Sequence, residues 1–285
     1  MNSKSILEGI ILSLPEISKS HRRSSETYQL YDIILKEEVK KLFSDDSIQP
    51  KSFLPFGELI FPYFKMGAID SLDLFGLDEL IIFSYYWKNK DKYKNVADIG
   101  ANIGLHSIIL SKCGFNVRSF EPDPIHYDKI QNNLMLNKCA GVEVFQKAIS
   151  KVAGTAEFVR VKGNTTGSHL AGSKSNTYGE LDKFTVDIEP FRPVIQWADL
   201  VKLDAEGHEK EILLSTEASD WENTDVMVEI GSIENATAIF EHCKKFEVNI
   251  FIQKHNWEKA TTASELPISH REGSAFLSKK NIMPW

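Results

Sequence analysis

Apolar and polar positions along this chain follow two regimes, with a change near residue 94. Before it, the stretch 27–43 sets Tyr28, Tyr31, Ile34, Leu35, Val39 and Leu42 near three or four apart with Lys and Glu between them, the spacing of an amphipathic helix. The stretch 53–66 is aromatic and interrupted by Pro55, Gly57 and Pro62, which predicts short strands or a hairpin, and 77–87 predicts a second helix packed on a sheet edge. From Asn95 onward, short apolar runs alternate with amphipathic stretches, as in parallel βαβ units. Strands are expected at 95–99, 116–121, 142–147, 199–204, 226–230, 249–253 and 274–278, and helices at 103–113, 124–137, 206–219 and 233–246. The alternation fails over 153–193, where Gly, Ser and Thr gather between 163 and 179. Either an extra strand pair carries a loop over the site, or the segment is a long surface connection. The expected architecture is a doubly wound α/β domain over 95–285 with a mostly parallel sheet, preceded by an α+β extension over 1–94.

Chemistry concentrates where the first of these strands ends. Val96-Ala97-Asp98-Ile99-Gly100-Ala101-Asn102-Ile103-Gly104 is a strand running through a glycine turn into a helix, a loop suited to a nucleotide cofactor. Gly100 lets the backbone turn and approach a ligand, and Gly104 lets the helix pack closely on the strand. A dinucleotide fingerprint would have a glycine where Asp98 stands, and its last glycine one residue earlier than Gly104. A carboxylate there repels a diphosphate and suits a cofactor with an ammonium group and no pyrophosphate, which S-adenosylmethionine is. Seventeen residues beyond Gly104, Glu121 ends the second strand, placed to accept hydrogen bonds from both ribose hydroxyls; it also reads as a plain surface carboxylate before Pro122.

Charge and cysteine content narrow the partners. A formal net charge of −7 weighs against a nucleic-acid backbone as partner. The basic cluster Lys19, His21, Arg22 and Arg23 reads as a solvated turn. Three cysteines, Cys113, Cys139 and Cys243, show no C-x-x-C spacing and suggest neither a disulfide framework nor a zinc site, consistent with a reducing cytoplasm. The apolar run 6–14 contains Glu8 and lacks the marks of a signal peptide, and nothing approaches the length of a membrane span.

The strings Asp98-Ile-Gly-Ala-Asn-Ile-Gly104, Phe120-Glu-Pro122, the asparagines from Asn132 to Asn137, and Val201-Lys-Leu-Asp-Ala-Glu-Gly-His-Glu209 resemble the FkbM family of methyltransferases over about 95–231. The resemblance implies a class I, Rossmann-like methyltransferase with a seven-stranded sheet. It implies S-adenosylmethionine as cofactor, S-adenosylhomocysteine as product, and methylation of a hydroxyl on a sugar, glycan or secondary metabolite. It sets Asp98, Gly100, Ala101, Asn102, Gly104, Glu121 and Pro122 around the cofactor, with Lys147 and Ala148 beside the adenine.

On the fourth strand, Lys202, Asp204 and Glu206 share one side for as long as the chain stays extended, and they arrive at the carboxyl ends of the strands, where ligands bind in open α/β sheets. Asp204 is the foremost candidate for the base or acceptor anchor, with Glu206 and Lys202 beside it. Each also has a structural role open to it: Lys202 as an ion-pair partner, Asp204 as organiser of the glycine loop, Glu206 in a first helical turn. Glu229 and His255 are further candidates near the same face. No metal ligand set is assigned. The expected partner is a small-molecule or glycan acceptor, with no nucleic acid and no membrane span; the aromatic segment 53–64 suits a lid or a homo-oligomer interface equally. Two rival classes stay open, a nucleotide-dependent oxidoreductase and a non-catalytic ligand-binding protein on the same fold.

Overall fold

In the computed structural model, which describes residues 5–173 and 179–285, the extension is built from α1 (Ile6–Ser13), α2 (Glu26–Phe43), a small antiparallel pair β1 (Lys51–Ser52) and β2 (Glu58–Leu59), and α3 (Leu77–Lys88). Ser5 and Ser25 cap the first two helices by accepting from the N–H groups of Glu8 and Tyr28. The expected position of α3 on a sheet edge is corrected. It lies against the sheet face, the Tyr85 ring 5.4 Å from that of Phe276. The reason is its composition: Leu77, Leu80, Ile81, Ile82, Phe83, Tyr85 and Tyr86 are all buried, so the helix has little solvent face to offer.

The rest of the chain runs β3 (Asn95–Ile99), α4 (Leu105–Lys112), β4 (Asn116–Phe120), α5 (Pro124–Leu136), β5 (Val142–Phe145), β6 (Ala148–Ser150), β7 (Gly154–Val161), β8 (His169–Leu170), β9 (Leu181–Pro190) and α6 (Phe191–Trp197). It continues through β10 (Leu200–Leu203), α7 (Glu209–Leu213), β11 (Asp225–Val228), α8 (Ile233–Lys245), β12 (Asn249–Ile252), β13 (Glu258–Lys259) and β14 (Ala275–Ser278). The main sheet has the order β13-β12-β14-β11-β10-β3-β4-β5. Its strands from β11 to β5 are parallel, and β14 runs antiparallel between β11 and β12. This is a doubly wound, Rossmann-like fold with the seven expected strands and a two-residue strand added at the edge.

Neighbouring residues along each strand face opposite layers. Val96, Val117, Leu200, Met227, Phe251 and Phe276 pack with helices α1 to α5, in a core that also takes in Leu7, Leu35, Phe53 and Phe83 of the extension. Ala97, Val201, Val226, Val228, Ile250 and Leu277 pack with α6, α7 and α8. Position 94 therefore separates two stretches of sequence that share one apolar core.

Where the alternation failed, the chain forms a second sheet of order β6-β9-β7-β8, whose centre is a long antiparallel β7–β9 pair. Residues 174–178, within the loop expected over 163–179, lie outside the described residues. The helix expected at 206–219 is shorter, only Glu209–Leu213, because Glu206 and Gly207 take positive φ values of 51° and 99° before it. Behind it, the hydroxyls of Ser215 and Thr216 bond back to the carbonyls of Ile212 and Leu213 and end the helix.

Of the basic cluster, Lys19, Arg22 and Arg23 stay exposed around a turn, as expected, and His21 alone departs from that reading. His21 is buried, accepts from Trp257 Nε1 through Nδ1 at 2.8 Å and donates from Nε2 to the Leu14 carbonyl at 2.9 Å. Arg23 pairs with Asp78, which also accepts from Tyr28 and Gln253. These residues fasten the extension to the loop after β12. Among the described residues, no helix is long and apolar enough to cross a membrane.

Candidate active site

The turn after β3 owes its glycines to neighbouring protein. Gly100 has φ +74°, and a Cβ there would stand 1.8 Å from the Asp204 carbonyl oxygen. Gly104 has φ +90°, and its Cβ would meet Ile130 Cγ1 of α5 at 2.4 Å. Gly100 makes the tight turn expected of it and clears the backbone just past β10, whereas Gly104, expected to clear its parent strand, clears α5. Between them Asn102 holds φ 52° and donates its N–H to Glu121 Oε2 at 2.8 Å. The N–H groups of Gly100 and Ala101 both point to the Phe120 carbonyl. The tip of the loop is thus tied to the end of β4.

Register builds a polar row beneath this loop. Ser119, Asp98 and Lys202 are neighbours across β4, β3 and β10, all on the face that packs against α3 and α4. Ser107 of α4 donates to Asp98 Oδ2 at 2.6 Å and lies 2.8 Å from the Ser119 hydroxyl. Lys202 donates to the Gly100 carbonyl at 3.2 Å and stands 3.9 Å from Asp98 Oδ1 and 3.5 Å from Asp204 Oδ2. Burial opposes the charge on Lys202, but Asp204, Asp98, Glu79 and Glu229 outweigh it and raise its pKa. Asp98 is fully buried in this row. Its carboxylate sits beneath the loop, beside Lys202, and is not among the residues lining the cleft.

Glu121 lies just past β4, buried, with Oε1 accepting the Asp123 N–H at 2.9 Å and Oε2 that of Asn102. Each oxygen keeps a second acceptor site. Burial pushes its carboxyl up to about 8, with Asp123 adding to the rise and the two N–H donors and Lys202 opposing it.

At the end of β10 the extended run stops at Leu203, so the expected common side for Lys202, Asp204 and Glu206 does not persist: Glu206 is turned by its left-handed backbone. The turn is held from inside by Glu209, 2% exposed, whose Oε1 accepts from the N–H groups of Ala205 and Gly207 and whose Oε2 accepts from Asn235. Burial raises the Glu209 carboxyl to about 7. Glu229, following β11, is also raised by burial and by the nearby Asp204.

A cleft opens along these strand ends. Among the expected site residues, Gly100, Asn102, Glu121, Pro122, Lys147, Ala148, Asp204 and Glu206 line it, while Asp98, Ala101, Gly104 and Lys202 do not. Lys147 reaches across to Glu189 at 2.7 Å. Sequence reading missed the remaining walls: His126 of α5, Phe158 and Leu170 of the second sheet, and Ile69 and Leu74 of the extension. The only signal for the second-sheet walls was the break in alternation near 153. Past Asp204, Glu206 and His208 the cleft continues into a wider groove beside Glu229, Ser232 and Asn235. His255 lies elsewhere, exposed in the turn after β12. Among the described residues, no three His, Cys, Asp or Glu side chains are grouped to hold a metal ion.

Known proteins match this same part of the chain. The family model described as the Methyltransferase FkbM domain matches residues 98–260. The Methyltransferase sdnD of Sordaria araneosa is 28% identical over 160 residues, covering 45% of this chain and 62% of that protein. The Hexuronic acid methyltransferase AglP of Haloferax volcanii is 29% identical over 128 residues, covering 41% of this chain and 47% of its own length. The chain thus spans roughly half to three fifths of the length of these relatives. A SAM-dependent methyltransferase structure from Agrobacterium tumefaciens aligns with 81% of this chain and 70% of its own at a TM-score of 0.42 and 9% identity, a likeness too slight to add to the assignment. With the family match running from Asp98 across the strand ends that form most of the cleft and on to β13, the chain belongs to the FkbM methyltransferase family.

Proposed function

We propose that the protein binds S-adenosylmethionine in the cleft and directs its methyl group to a hydroxyl of a small molecule or glycan held in the adjoining groove, releasing S-adenosylhomocysteine. The observation that carries this reading is the continuity of the two spaces at Asp204: the Asn102–Glu121 end is suited to a ribose, and the groove opens beyond the carboxylate. The cofactor supplies an activated methyl on a good leaving group, so the chain's own task is positioning and the handling of one proton. Asp204 would take that proton or anchor the acceptor hydroxyl, with Lys202 holding its carboxylate 3.5 Å away. Glu206 and Glu229 line the acceptor side. A sugar acceptor is supported by the hexuronic acid methyltransferase among the relatives. The three cysteines, all free, suit the reducing cytoplasm we assign to it.

Calorimetric titration with S-adenosylmethionine and with NAD(H) separates the methyltransferase from an oxidoreductase, and S-adenosylhomocysteine release across a panel of hydroxylated acceptors separates it from a non-catalytic binder. Asp204→Asn tests the assignment of the base. Cofactor affinity near wild type with turnover lowered about 10²- to 10⁴-fold is expected. Weakened cofactor binding together with a lower melting temperature would instead make Asp204 an organiser of the glycine loop, and full turnover would move the base to Glu206 or Glu229.

A further inference from the structure

Two residues beyond Glu121, Asp123 is 1% exposed and meets Arg160 in a bidentate pair. Arg160 Nε donates to Oδ2 and Nη2 to Oδ1, both at 2.6 Å. Oδ1 also accepts the N–H of Ile125 at 2.8 Å, capping α5, while the N–H of Asp123 donates to Glu121 Oε1. A chain of contacts therefore runs from the guanidinium to the carboxylate facing the cleft. Arg160 belongs to β7, outside the doubly wound sheet, and is itself steadied by the Phe184 ring 4.8 Å away and by Asp182 at 3.7 Å.

We propose that Arg160 is a positioning residue for the cofactor, fixing Glu121 through Asp123, so that the second sheet sets cofactor affinity along with the glycine loop. The proposal rests on the reading of the cleft as the S-adenosylmethionine site. The groups that face Glu121 are Asp123, the N–H donors of Asn102 and Asp123, and Lys202 of β10, with His126 of α5 and Arg160 facing Asp123. Arg160 neutralises Asp123, the anion that helps raise the Glu121 carboxyl, and attracts Glu121 itself. Without it, an uncompensated Asp123 would favour the protonated form of Glu121, which accepts ribose hydroxyls less well. A residue that merely held β7 in place would change stability and leave this titration unmoved.

The test is calorimetric titration of S-adenosylmethionine into the full chain from about pH 6 to about pH 9. Arg160→Met should weaken binding about tenfold near neutral pH, because losing the bidentate pair on Asp123 leaves roughly a tenth as much of Glu121 ionised there. It should also shift upward, by about one unit, the pH at which affinity levels off. The double variant Asp123→Asn with Arg160→Met leaves no unpaired buried charge; its pH profile should return toward wild type while affinity stays reduced. A folded Arg160→Met protein with affinity within twofold of wild type and the same profile overturns the proposal. If that variant does not fold, the double variant decides, and wild-type affinity in it overturns the proposal equally. A wild-type chain that fails to bind S-adenosylmethionine sinks the functional reading and this proposal together, whereas normal wild-type binding with an indifferent Arg160→Met sinks this one alone.

Discussion

A carboxyl held near neutrality by burial, as in Glu121, makes binding visible as proton release. Its folded value of about 8 lies above the ordinary 4.5. It therefore contributes stability that is fully present below 4.5 and is lost as pH rises through 8. Ribose hydroxyls donate to the ionised form, so cofactor binding should expel a proton. Affinity should climb with pH up to about 8 and level off above it. Titrations in buffers of different ionisation enthalpy measure the proton directly, and Glu121→Gln should abolish both it and the slope; a wild-type affinity flat across this range would take Glu121 out of the site. The two glycines of the loop differ in how they can be rescued. Gly104→Ala puts a Cβ against the movable Ile130 side chain and should cost about 1 to 3 kcal/mol, of which part returns on adding Ile130→Ala. Gly100→Ala strikes a backbone oxygen, so trimming a neighbouring side chain should return nothing. Urea midpoints of the single and double variants show the difference.

The elements around the cleft divide by how local their causes are. The central strands β3, β10, β11, β12 and β14 were legible because each is a short run buried on both faces, and the strand-turn-helix at Asp98 was legible because its residues are contiguous. The second sheet was legible only as one of two alternatives, an extra strand pair or a long surface connection. Strands β7 and β9 are polar along one side, with Glu157, Lys183 and Asp187 facing outward, and they pair across a long loop, so neither carries the apolar run that marks a buried strand. The place of Asp98 beside Lys202 was also hidden, since their register joins residues a hundred positions apart. The stretch before α3 also reaches the cleft through such pairing: Ala68 N–H donates to the Gly163 carbonyl at 2.7 Å and Thr165 N–H to that of Met66 at 3.0 Å. Gly67, at φ +95°, allows the approach, because a Cβ there would meet the Gly163 oxygen at 2.3 Å. Gly67→Val should therefore part the two segments that bring Ile69, Leu74 and Thr165 to the cleft. Cofactor dissociation, followed by stopped flow, should speed up about tenfold with little loss of melting temperature. An unchanged rate would mean these segments do not retain the cofactor.

At the scale of the whole molecule, the extension and the α/β domain depend on each other through polar links as well as through the shared core. Burial takes the His21 imidazole down to about 4, with its bond to the Leu14 carbonyl opposing the shift. A histidine lowered in the fold contributes stability that is present above 6.5 and is lost as pH falls toward 4. At pH 5 the loss should reach about 2 kcal/mol, read as a fall in urea midpoint that His21→Gln diminishes. A midpoint unchanged between pH 7 and pH 5 would place His21 outside this linkage. The position of β14 has a further consequence, for the order of events as the chain is made. Until residues 275–278 are synthesised, β12 lacks the strand that joins it to β11, and Gln253 and Trp257 have no fixed sheet to stand on. His21 lies far ahead of β14 in the chain, so its seat against Trp257 and Gln253 exists only once that strand is made, and Asp78, which holds Arg23, gains its Gln253 partner only then.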